Sequence, residues 1–151
     1  MGTVSARAVV ALDPADARDL WLDTSRWATW VDGFSHVDRV RRDWPQEGGT
    51  IEWESTPHGR GRVLERVVTA KVGGIVSEVA EERLTGTQTV VFRMTPAGTE
   101  VGAQLEYRLQ GGNVLLDVLF VRRALRDALR RTVTRYAREA DADAELLAAT
   151  A

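Results

Sequence analysis

The chain has 151 residues, 20 basic and 22 acidic side chains for a formal charge of −2, and no cysteine. A chain of this size buries roughly 68–70% of its unfolded surface, so residues 1–151 are expected to form one domain without metal or disulfide staples. Disulfides, thiolate metal sites and cysteine nucleophiles are excluded, and the near-neutral charge argues against a dedicated nucleic-acid binder.

The first element is a strand over Thr3–Leu12, where Val4, Ala6, Ala8, Val10 and Leu12 share one face by the two-residue period. Asp13-Pro14 ends it and starts a helix, with Asp13 suited to the N-cap, Pro14 to the first turn and Asp16 to a capping-box partner. That helix turns Ala17, Leu20 and Trp21 inward. A second short helix follows, capped by Thr24 or Ser25, presenting Trp27, Trp30 and Val31 and ending at Gly33.

The next stretch reads as hairpins. Strands are expected over Phe34–Arg42, Thr50–Ser55, Arg62–Val72, Ile75–Glu82, Thr87–Thr95 and Thr99–Leu109, separated by Gly-, Pro- and Thr-rich turns. Connections this short force antiparallel neighbours. In the last strand Val101, Ala103, Leu105, Tyr107 and Leu109 alternate with Glu100, Gln104, Glu106 and Arg108, so one face is covered and one is wet. Gly102 is expected to mark a bend.

From Val114 to about Ala144 there is no Gly or Pro. Val118, Val121, Leu125, Leu129, Val133, Tyr136 and Ala140 recur at three- and four-residue steps, which predicts one long helix with a single apolar stripe. About 30 helical residues span ~45 Å, enough to cross a sheet. Arg122, Arg126, Arg130, Arg131, Arg135 and Arg138 form its other side, read as a solvated face. Residues 141–151 are expected to fray.

The first twelve residues lack a basic start followed by an apolar block, so they do not read as a signal peptide. No apolar run approaches the ~18–20 residues that span a bilayer. The expectation is a cytoplasmic protein without stable membrane insertion, as a monomer or homodimer. Two histidines, His36 and His58, stand without metal-binding spacing, so no metal and no cofactor is expected. The serines lack the Gly-x-Ser-x-Gly context of a hydrolase, and Gly59-Arg60-Gly61 lacks the lysine and spacing of a phosphate loop.

The order strand, two short helices, six strands, long helix resembles the helix-grip fold of the START-like superfamily, which includes Bet v 1 relatives, polyketide cyclases and lipid-transport domains. Asp13-Pro14, the Trp27/Trp30 pair, Gly59-Arg60-Gly61-Arg62-Val63, Gly98-Thr99 before Val101 and the long last helix carry the resemblance, over about residues 3–140. It implies an α+β fold in which a curved, seven-stranded antiparallel sheet grips the C-terminal helix, leaving a pocket between them. The apolar wall is then expected from Trp30, Phe34, Trp53, Phe92, Leu105, Tyr107, Val118 and Val121.

The strand Arg62–Val72 places Glu65 and Arg66 side by side, so one points into the pocket and the other out. The two parities look alike in apolar content and leave the choice open. An inward Arg66 would hold a carboxylate or enolate oxygen; an inward Glu65 would act as a base. His36 is a further candidate proton carrier. The resemblance implies a hydrophobic small molecule, such as a lipid, quinone or polyketide, as the ligand. Its alternatives are a polyketide cyclase or dehydratase-like enzyme and a protein-interaction or chaperone-type module. In aromatase/cyclase relatives a pocket arginine on a middle strand works with tryptophans, and Arg66 and Trp53 are the counterparts by position.

Overall fold

The computed structural model describes all residues except Arg42, His58, Gly112 and Asn113. Seven strands form a single antiparallel sheet: β1 (Gly2–Val10), β2 (Phe34–Arg41), β3 (Thr50–Ser55), β4 (Arg62–Lys71), β5 (Gly74–Glu81), β6 (Leu84–Thr95) and β7 (Gly98–Leu109). Their order across the sheet is β1-β7-β6-β5-β4-β3-β2. Only the pairing of β1 with β7 is long-range in sequence; every other neighbour follows from a short turn. The helices are α1 (Pro14–Leu22), α2 (Trp27–Trp30), α3 (Val114–Leu116) and α4 (Arg122–Thr150), with a π turn over Asp117–Val121 leading into α4.

Local chemistry sets the helix starts. Asp13 caps α1, its carboxylate accepting from the Asp16 N–H at 2.8 Å, with Pro14 in the first turn. The 3₁₀ turn at Thr24–Arg26 is capped by Asp23, which accepts from the Ser25 N–H, rather than by Thr24 or Ser25. A carboxylate one residue earlier reaches the free N–H groups as well as a hydroxyl does.

The sheet bends at irregularities in its ladders. The pairing shifts register between Val67 and Thr69 in β4 and twice in β2, and an extra residue in one strand increases local twist. Gly102 pairs in unbroken register with Arg7 and Val91. The concave face carries Val63, Glu65 and Val67 of β4, Ile75, Ser77 and Val79 of β5, and Val101, Ala103, Leu105 and Tyr107 of β7, all buried.

Helix α4 lies against this face and is covered unevenly along its length. Its C-terminal half contributes Val133, Tyr136 and Ala140 to a filled core with Val10, Leu12, Ala17, Leu20, Phe92 and Val101. The helix runs on to Thr150. Asp141 accepts from the Ala11 N–H at 2.9 Å, and Glu139 and Asp143 hold Arg26, so this end is tied to the rest of the chain. The arginine face is not wholly solvated either: Arg131 and Arg135 clamp Asp32, in the turn after α2, at 3.0 and 3.2 Å. The Arg131 hydrogen bond holds the Asp32 carboxyl below its ordinary value against the opposing effect of burial.

Candidate functional site

The N-terminal half of α4 faces empty space. Val121, Ala124, Leu125, Ala128 and Leu129 present one stripe of small and branched side chains toward the sheet. Between them and β3–β7 lies a cavity of about 1080 Å³. Trp21, Trp27 and Trp30 close its inner end and Trp53 forms one wall. Its rim includes Pro57 and Gly59 after β3, Glu82 and Arg83 between β5 and β6, and Gln110 after β7, which antiparallel pairing brings to the same end of the sheet.

The tryptophans form a connected cluster. Trp27 meets the rings of Trp30, Phe34, Trp44 and Trp53 edge to face at 6.0–6.2 Å between centroids. Its own N–H donates to the Trp21 carbonyl at 2.9 Å. This interlocking packs the inner end of the cavity with edge-to-face rings.

One polar group sits mid-wall. Glu65 of β4 pairs with Ile51 of β3 and Val79 of β5, so it shares their inward face, and it is 7% exposed. The Trp53 indole N–H donates to its Oε1 at 3.4 Å. Nearby, the Arg60 guanidinium lies 5.4 Å over the Trp53 ring and donates to Glu81 Oε2 at 2.6 Å. The Glu81 side chain is 4% exposed. Two carboxyls thus share one cation, and that cation is bonded to Glu81. Burial pushes the Glu65 carboxyl up; Arg60 and the Trp53 N–H oppose this, and the Glu81 charge adds to it. Among the described residues no three His, Asp or Glu side chains converge on a metal position.

No protein-family model and no curated protein sequence matches the chain. Solved structures do. The di-domain aromatase/cyclase StfQ of the steffimycin biosynthetic pathway superposes with a TM-score of 0.74 at 18% identity, over 97% of this chain and 51% of that one. Protein CV1439 of Chromobacterium violaceum superposes at 0.71 and 13% identity, over 93% and 99% of the two chains. A norcoclaurine synthase of Thalictrum superposes at 0.67 and 10% identity, over 91% and 94%. The fold is a helix grip, a curved antiparallel sheet packed on one long helix. At these identities the likeness is one of fold.

Within this frame the sequence-derived candidates separate. Trp30, Trp53, Leu105 and Val121 line the cavity. Phe34 stands outside the lining, its ring 5.5 Å from that of Trp53. Phe92 belongs to the filled end beside α1. Tyr107 is buried against Val4, Leu84 and Leu105, its ring occupying the space left by the missing side chain of Gly2. Val118 is 50% exposed and outside the lining, because the π turn shifts the helical phase ahead of Val121.

Arg66 is a correction. It lies on the convex face, 52% exposed, and pairs with Glu78 at 2.6 Å. The pairing of Glu65 with inward residues on both sides leaves its neighbour no choice. His36, on the edge strand β2, is also outside the cavity: it is 60% exposed, with Nε2 2.9 Å from Asp38. His58 lies outside the described residues. Arg66→Ala is therefore expected to change stability by less than ~0.5 kcal/mol and to leave ligand binding unchanged. Urea denaturation and a probe titration check both.

Sequence reasoning missed Arg60, Glu81 and Gln88, which also line the cavity. The signal for two of them was present: Glu81 continues the inward parity of Ile75, Ser77 and Val79, and Gln88 that of Val90 and Phe92.

The raised Glu65 value has a consequence for stability. The folded chain holds this proton more tightly than the unfolded chain, so stability falls as pH rises from the ordinary value of 4.5 through the raised one, and levels above it. Glu65→Gln is expected to remove that slope, so its melting temperature should gain on the wild type as pH increases. A pH-independent difference between the two contradicts this.

Proposed function

We propose that the chain binds a hydrophobic small molecule (a lipid, quinone or polyketide-like compound) in the cavity between the sheet and the first half of α4. The observation that carries this is the cavity itself. Its volume of about 1080 Å³ lies at the upper end of small-molecule sites, and its wall is mainly apolar with a few polar groups. Tryptophans fix its shape, so a ligand need not pay to open it.

A second reading is a polyketide cyclase or dehydratase-like enzyme using the same cavity. One observation favours it: a buried carboxyl, Glu65, in the middle of the wall. Folding a flexible chain against aromatic walls supplies proximity, worth up to ~7–11 kcal/mol in favourable cases, and a buried carboxyl whose pKa is pushed up suits proton transfer. The di-domain aromatase/cyclase supports the same direction by fold only.

Native mass spectrometry of protein purified from its host tests the container reading. The expected spectrum shows a non-covalent adduct that collisional activation releases. Protein that emerges bare and fails to take up any hydrophobic compound added to it overturns the reading.

A further inference from the structure

The polar wall of the cavity constrains what the ligand carries. Resting on the container reading, we propose that the Glu65 carboxyl donates its O–H to a neutral carbonyl oxygen on an apolar ring ligand, as in an aromatic ketone, quinone or lactone.

The first support is the charge count. Glu65 and Glu81 are both buried in this wall, and Arg60 is committed to Glu81 through a 2.6 Å bond. Across the cavity the π turn presents Val121 and α4 presents Ala124, Leu125, Ala128 and Leu129, none of them charged. Of the other two arginines in the lining, Arg131 is held by Asp32 and Arg83 is solvent-exposed. From β6 the facing polar residue is the neutral Gln88. Glu65 therefore has no cation of its own, and an unpaired buried carboxylate is costly enough that the group stays an acid. The upward push on its pKa agrees.

The second support is a shortage of acceptors. An acid O–H is a donor, and among the described residues it meets no acceptor, whereas the Trp53 N–H is already taken by Glu65 Oε1. Trp30, also lining the cavity, carries a buried indole N–H without an acceptor among the described residues. Unmet donors in a buried wall cost about 1–3 kcal/mol each. A ligand oxygen with free lone pairs satisfies them. A carboxylate ligand would instead meet the Glu81 charge, and an ammonium would have to give up its hydration for a buried ion pair with Glu65, a cost that a neutral carbonyl does not incur.

The test uses four probes of one size: 2-acetylnaphthalene, 2-isopropylnaphthalene, 2-naphthoate and 1-(2-naphthyl)ethylamine. Each is titrated calorimetrically into wild type, Glu65→Gln and Glu65→Leu, with melting curves to confirm folding. In wild type the ketone is expected to bind more tightly than the anion or the amine. The ketone-to-isopropyl affinity ratio should fall about tenfold in Glu65→Leu, while isopropylnaphthalene binding holds or improves. Glu65→Gln, whose amide still donates, should keep most of the ratio. The proposal is overturned by an unchanged ratio in Glu65→Leu, or by wild type preferring the naphthoate or the amine. Those outcomes leave the container reading standing. Failure of every probe to bind the folded wild type removes both.

Discussion

Ala128→Trp is expected to weaken binding of 2-isopropylnaphthalene by at least tenfold while leaving the chain folded. Ala128 is half-buried on the face of α4 that lines the cavity, between Ala124 and Thr132 one turn to either side. In a filled core, small-to-large changes force side chains off their rotamers and cost about 1–3 kcal/mol. Here the indole has a cavity of about 1080 Å³ to enter, so it displaces ligand rather than protein. Burial of the new ring should hold the melting temperature level or raise it. Calorimetric titration with a paired melting curve separates the cases. Loss of stability with unchanged probe affinity would mean that the space beneath Ala128 is already filled.

The filled end behaves in the opposite way. Tyr136→Ala is expected to cost about 3–5 kcal/mol, the range for removing a large buried aromatic. Tyr136 is fully buried, meets the rings of Trp21 and Trp30 at 5.1 and 5.3 Å, and donates its hydroxyl hydrogen to the Ala17 carbonyl. It is the point where α4, α1 and the aromatic wall join. Tyr136→Phe isolates the hydroxyl and should cost about 1 kcal/mol. Urea denaturation of both variants measures the two quantities. A cost for Tyr136→Ala near 1 kcal/mol would show that the filled end is not what anchors α4.

The fold was legible because its signals are local. Asp13-Pro14 marks the start of α1, the short turns force antiparallel hairpins, and Val101 to Leu109 alternates cleanly. The wall of the cavity was legible only in part, for a specific reason. In β4 the convex face also carries apolar side chains, with Leu64 38% and Val68 42% exposed, so its parity does not distinguish inside from outside. Only the register against Ile51 and Val79 settles Glu65 inward and Arg66 outward. Val118 was misplaced by a π turn, which breaks the 3.6-residue phase without a Gly or Pro to announce it. Phe92 and Tyr107 do face inward, but the concave face is longer than the cavity. Where along a strand the filled core gives way to empty space depends on which half of α4 lies above it, and no single-strand pattern carries that.

The fold also explains how one chain keeps a cavity open and remains stable. The C-terminal half of α4 and α1 form the filled core, while the aromatic cluster braces the boundary. Among the described residues no helix is long and apolar enough to cross a membrane.

The most direct measurement is a crystal structure of the protein soaked with 2-acetylnaphthalene. The expected result is one probe molecule between Trp53 and the Ala124–Ala128 face of α4, with its carbonyl oxygen within hydrogen-bond distance of Glu65. An interior closed by side chains, or a probe held only on the outer surface, would contradict the account.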